Sequence, residues 1–93
     1  MAHPKPSLDP KIADEPPSSD NLTDYDYTML VVYVRLLDSE TAGADWHDAA
    51  RILLKVDPEK EPAKAKHRYD THLARAKWMT EFGYQHLLRQ GMN

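Results

Sequence analysis

Tyr27-Thr28-Met29-Leu30-Val31-Val32-Tyr33-Val34-Arg35-Leu36-Leu37 is the stretch on which the fold class turns. Read alone, Met29 to Val34 is a β-branched apolar run that passes for a strand. Tyr27, Leu30, Val31, Val34 and Leu37, however, recur at offsets of 0, 3, 4, 7 and 10, which is one face of a helix. That reach is too long for a short strand, so the spacing predicts a helix with those five residues toward the core. Thr23 is placed to cap it, and Asp24 and Asp26 fall in the first turn, where carboxylates meet the positive end of the helix dipole. The run Asp38-Ser39-Glu40-Thr41-Ala42-Gly43 ends it.

Two further helices follow from start and stop signals. Asp45 reads as an N-cap with Asp48 as the N3 carboxylate, and Trp46, Ala49, Ala50, Leu53 and Leu54 form an apolar stripe running to about Lys55. Asp57-Pro58 stops that helix, because the residue before proline disfavours helical backbone. Val56 to Glu61 is then a polar connector. Pro62 opens a third helix at the position that tolerates a missing N–H, and Ala65, Tyr69, Leu73, Ala76 and Met79 or Thr80 give it a buried stripe. Phe82-Gly83-Tyr84 suggests a break or bend, with a short terminal helix through His86, Leu87 and Leu88. The expected fold is all-α, a three- to four-helix, helix-turn-helix-like domain over residues 23–93.

Residues 1–22 have a different composition. Pro4, Pro6, Pro10, Pro16 and Pro17 crowd this stretch, and only Leu8, Ile12 and Leu22 offer substantial apolar surface. On its own such a segment does not bury enough to offset its ordering entropy, so a disordered acidic arm is expected. Charge is uneven along the chain. Residues 1–61 carry 13 acidic and 6 basic side chains, whereas residues 62–93 carry 2 and 6. An acidic region is therefore followed by a basic helix, and each can face a different partner.

Composition excludes several function classes. A 93-residue chain lacks room for a deep substrate cleft and a supporting core. Cysteine is absent, which removes disulfides, thiolate metal sites and thiol nucleophiles. Glycine is limited to Gly43, Gly83 and Gly91, too few for phosphate-cradling loops. His67 and His72 are five residues apart, which is not the i, i+4 spacing of helical zinc pairs, and no serine or threonine has a base at a recognisable spacing. Asp45 and Asp48 are explained by capping. The expectation is a small, soluble, cytoplasmic, non-enzymatic protein with no cofactor, no metal, no small-molecule substrate and no membrane contact.

A short helix, a longer-than-usual connector and a basic helix form a helix-turn-helix-like arrangement. Lys64, Lys66, Arg68 and Arg75 are the candidate DNA-facing residues, set against the ordinary use of such charges as a solvated face. Tyr25, Tyr33, Trp78 and Tyr84 are the candidate protein-docking residues, because several fall off the core stripes and aromatic anchors dominate interfaces. Trp46 is assigned to the core.

Several blocks carry a family resemblance. Tyr33-Val34-Arg35-Leu36-Leu37-Asp38, Ala42-Gly43-Ala44-Asp45-Trp46 and Ala49-Ala50-Arg51-Ile52-Leu53-Leu54 are three of them. The fourth is Tyr69-Asp70-Thr71-His72-Leu73-Ala74-Arg75-Ala76-Lys77-Trp78-Met79-Thr80-Glu81. Over about residues 25–90 the chain resembles an extended-turn helix-turn-helix family, once described only as a domain of unknown function, encoded on integrative and conjugative elements of proteobacteria. The resemblance implies transcriptional control of horizontal gene transfer in a quorum-sensing context. In larger members the domain stands behind a separate N-terminal domain and takes part in transcription activation. Short stand-alone members imply an antiactivator, which occupies the activator's N-terminal domain in place of its own module. The acidic balance and the absence of room for an N-terminal domain favour that reading. The alternative is a DNA-binding transcriptional regulator that uses the basic third helix.

Overall fold

In the computed structural model, which describes residues 4–83, the chain is all-helical, with no strand among the described residues. The order is α1 (Asp24–Thr28), α2 (Leu30–Thr41), α3 (Trp46–Leu53) and α4 (Pro62–Trp78), continued by a π-helical turn, Met79–Gly83. The expected first helix is thus two, offset at Met29, where ψ is 2°. The expected second and third helices are α3 and α4. The terminal helix through His86 to Leu88 lies outside the described residues, as does Tyr84.

Local chemistry accounts for the boundaries. Thr23 caps α1 in a full capping box: its hydroxyl accepts from the Asp26 N–H, and the Asp26 side chain accepts from the Thr23 N–H at 2.9 Å. α2 ends in a Schellman turn, with the Gly43 N–H donating to Glu40 C=O and the Ala44 N–H to Ser39 C=O, each at 3.0 Å. Gly43 takes φ 72°, a conformation that costs a side-chain-bearing residue about 1–2 kcal/mol. Asp45 caps α3 by accepting from the His47 N–H at 3.0 Å. Asp48 does not complete a capping box there and pairs instead with Arg51 at 3.2 Å. Lys55 turns the chain out of α3 at φ 56°, and Val56 and Pro58 bury themselves in the connector to α4.

α2, α3 and α4 pack on one another around Met29, Val32, Tyr33, Leu36, Ala50, Leu54, Ala65 and Ala76. The buried face of α2 is a correction to the expected one. Met29, Val32, Tyr33 and Leu36 point inward, whereas Val34 is half exposed and Leu30, Val31 and Leu37 are only partly buried. The two stripes differ in whether the Tyr33 hydroxyl can be satisfied inside. It can, because Asp26 waits for it.

Asp26 is fully buried, and Tyr33 donates to its Oδ1 at 2.9 Å. Arg75 of α4 grips the same carboxylate side-on, Nε to Oδ1 at 3.0 Å and Nη2 to Oδ2 at 2.7 Å. Its remaining N–H groups donate to Ser19 C=O and Asn21 C=O at 2.6 and 3.1 Å. Burial raises the Asp26 pKa, but Arg75, the Thr23 N–H and Tyr33 outweigh it and hold the carboxyl below its usual range. Tyr33 is pushed upward by its burial and by the adjacent Asp26 charge.

Residues 4–22, expected as an arm apart from the domain, contain no helix or strand and lie along the helices. Ser7 N–H donates to Thr28 C=O at 3.0 Å, and the Ala13 N–H to the Tyr25 hydroxyl at 3.1 Å. Pro10 is buried, and Ile12 and Leu22 pack on the core. Residues 9–21 thus form a strap over α4.

Removing one member of a buried, hydrogen-bonded ion pair strands the other charge, at a cost of about 3–5 kcal/mol. Asp26→Ala is therefore expected to lower urea-unfolding stability by that amount. Lys77→Ala, which breaks the exposed Lys77–Glu40 pair of 2.9 Å, should cost under about 1 kcal/mol in the same assay.

Candidate functional site

Both sets of residues that the sequence nominates are largely engaged within the fold. On α4, positions 64, 67, 68, 71 and 75 share one face by helical spacing. The strap lies against that face. Asp14 Oδ1 accepts from Arg68 Nη2 at 2.7 Å and stands 3.8 Å from Lys64 Nζ. Glu15 meets His67 Nε2 at 3.0 Å, and Asp9 pairs with Lys55 beyond the start of α4. The Arg68 guanidinium beside Asp14, helped by Lys64, holds that carboxyl below its usual range despite the opposing effect of desolvation.

Among the candidate DNA-facing residues, Arg68 and Arg75 are therefore corrected. They are 8% and 7% exposed and are engaged from within, Arg68 also donating to Leu54 C=O at 2.9 Å. A charge pattern alone misassigns them because their acidic partners stand about 50 residues away in the chain. Lys64 and Lys66 are exposed. Lys64 is shared between Asp14 and Glu61, while Lys66 pairs with Asp70 at 3.2 Å and stands 4.9 Å above the Trp46 ring.

The candidate aromatic anchors are also largely occupied. Tyr33 is 0% exposed and belongs to the core, a correction to its assignment as a docking residue. Trp78 is partly buried beneath the Arg75 guanidinium, 4.0 Å from its ring centre. Tyr25 is half-buried in a second polar chain. Trp46 is partly buried at the edge of the core, against Tyr69 and stacked on His47.

That second chain has a definite proton order. His72 is fully buried, and its Nδ1 is 2.8 Å from Arg68 C=O, an acceptor, so Nδ1 carries the hydrogen. Nε2 then accepts from the Tyr25 hydroxyl at 2.7 Å, and the Tyr25 oxygen accepts from the Ala13 N–H. Neutral His72 satisfies every partner, whereas a second proton on Nε2 would confront the hydroxyl hydrogen. Burial lowers the His72 pKa below 6.5, with the Arg68 charge adding to it and the Arg68 carbonyl and Asp26 opposing.

Trp78 also lines a groove of about 400 Å³ between α4 and strap residues Glu15, Pro16, Pro17 and Ser18, and another open surface lies away from the strap. α2 and α3 diverge to leave a groove of about 390 Å³, walled by Arg35, Asp38 and Ser39 on one side and by Asp48, Ala49, Ile52 and Leu53 on the other. Ile52 is 71% exposed, a large apolar side chain held out to solvent. Asp38 and Asp48 give the walls a carboxylate each. Sequence reasoning passed over Ile52 as a functional residue, although the signal was present: it is the apolar residue of α3 that falls outside the Trp46-Ala49-Ala50-Leu53-Leu54 stripe.

A scan against protein-family models returns no match for this chain, and a search of curated proteins finds none that matches it. The family resemblance accordingly rests on the sequence blocks themselves. Among the described residues no helix is long and apolar enough to cross a membrane, and no three His, Asp or Glu side chains group as metal ligands.

The lowered His72 pKa sets a pH dependence. Below pH 6.5 the unfolded chain takes up a proton on this residue more readily than the folded one, so folding stability is complete above that value and falls as pH drops through it. Unfolding free energy measured between pH 7.5 and 5.5 should decline in the wild type, and His72→Gln should flatten that decline (the pH range spans about one unit either side of an ordinary histidine pKa).

Proposed function

We propose that this chain is an interaction protein, an antiactivator of the QseM type that binds a transcriptional activator of conjugative-element transfer. It occupies the activator's N-terminal domain in place of the activator's own helix-turn-helix module, so that the activator cannot promote transcription. The observation that carries this reading is the contrast between the two surfaces. The basic face of α4 is already neutralised by the strap, while the α2–α3 groove is apolar, open and crowned by Ile52.

Binding to a phosphate backbone draws on several Lys and Arg side chains, each neutralising a phosphate. Arg75 is committed to Asp26, Arg68 is held by Asp14 and Leu54 C=O while the strap is in place, and Lys64, Lys66 and Lys77 each stand beside a carboxylate. This weighs against the DNA-binding alternative. Ile52 differs from the other large exposed apolar side chains among the described residues, Leu8 and Val34, in standing on the wall of an apolar groove, where it is placed to anchor a partner. The groove walls carry Arg35 beside Asp38 and the Asp48–Arg51 pair, so the groove suits an apolar side chain of the activator's N-terminal domain flanked by groups of either charge.

Calorimetric titration with a purified activator N-terminal domain tests this. Binding is expected, and Ile52→Glu should weaken it by about 2 kcal/mol or more, the scale of a central interface anchor, while leaving the far-UV spectrum unchanged. Absence of binding, or full binding by Ile52→Glu, contradicts the proposed docking.

A further inference from the structure

Arg68 and Arg75 form an internal comparison. A guanidinium grips an oxyanion best side-on, through Nε and Nη2 together. Arg75 uses that edge completely, with Nε and Nη2 on the two oxygens of Asp26. Arg68 uses half of it. Its Nη2 reaches Asp14 Oδ1 at 2.7 Å and its Nη1 reaches Leu54 C=O, but its Nε is a buried donor with no hydrogen-bond partner among the described residues. Buried donors left unpaired are rare because the lost solvation is not returned.

The mismatch lies with the acceptor. Asp14 comes from an irregular strap, its side chain is mostly exposed, and it touches Arg68 at a single point. Lys64 Nζ stands 3.8 Å from the same carboxylate oxygen, and His67 is on the same face, held by Glu15. Position 68 is also more than nine-tenths buried, so its guanidinium is fixed in place rather than sampling solvent.

We propose that Asp14 is a placeholder in a latent oxyanion site formed by Arg68 and Lys64 beside His67, and that a phosphate group takes its place and lifts the strap. A phosphate presents two oxygens to Nε and Nη2 at once and keeps a third for Lys64, which a singly touching carboxylate does not. The same chemistry is offered by free phosphate and by a nucleic-acid backbone. The inference is independent of the α2–α3 groove.

The test follows the Arg68 Nε–Hε resonance of the labelled full chain during titration with inorganic phosphate at constant ionic strength, in the wild type and in Asp14→Ala. In the wild type the signal is expected to move together with the amides of residues 13–15. Asp14→Ala removes a competing charge at contact distance and should bind phosphate about tenfold more tightly. Lys64→Ala, an exposed substitution, should weaken binding in the Asp14→Ala background. A parallel titration with a short DNA duplex identifies the source. Movement of the same signals at lower concentration, lost steeply with salt, points to a nucleic-acid backbone, and movement with phosphate alone points to the free anion. The proposal is overturned if Arg68 Nε–Hε stays still in Asp14→Ala, if chloride moves it equally, or if both proteins bind phosphate alike.

Discussion

The Asp26–Arg75 pair is the interaction on which the remaining structure depends. One carboxylate, fully buried, closes the capping box of α1, receives the Tyr33 hydroxyl of α2 and takes the side-on guanidinium of α4. The other side of that guanidinium holds the strap through two backbone carbonyls. Four parts of the chain thus meet at two side chains. Buried ion pairs contribute little net stability compared with apolar packing, yet removing one partner strands the other charge, so the arrangement is costly to break. It fixes which face of α2 turns inward, because only one orientation brings Tyr33 to Asp26.

The same constraint divides the surface. With Arg75 committed to Asp26 and Arg68 tied to Leu54 and Asp14, the inner side of α4 becomes structural, and the strap covers its approach. α2 and α3 meet α4 on their other sides and leave their mutual groove open. A basic helix whose charges read from sequence either as a solvated face or as a DNA-facing one thus has two of its arginines, Arg68 and Arg75, held in internal contacts. The α2–α3 groove is open and mostly apolar, and a second groove lies between α4 and the strap beside Trp78. The polar chain from Ala13 through Tyr25 and His72 to Arg68 C=O runs beside the arginine contacts and ties their integrity to a neutral histidine.

Much of the fold was legible because it is encoded locally. Thr23, Asp45 and Pro62 mark helix starts, Gly43 marks an end, and the 3.6-residue period separates helix from strand at Met29–Val34. The errors have a common origin in polar contacts between distant residues. The α2 stripe was misread because the apolar run Met29–Val34 offers more than one helical face, and the choice is made by a buried carboxylate seven residues before Tyr33 that receives its hydroxyl. Arg68 reads as a surface charge because Asp14 lies in a segment judged only by its own apolar content, and Arg75 because Asp26, read as a first-turn carboxylate, is distant in the chain. Composition measures what a segment can bury alone and is silent on what it can neutralise. Ile52 carried a readable signal, since an apolar residue off the stripe of an amphipathic helix faces outward by geometry.

The most direct test of the central claim is an amide NMR titration of the labelled chain with the N-terminal domain of an activator. The account predicts shifts concentrated on Arg35, Asp38, Asp48, Ile52 and Leu53, with the α4 face between Lys64 and Arg75 unmoved. Shifts confined to α4, or no shifts at a saturating concentration of the domain, would contradict it.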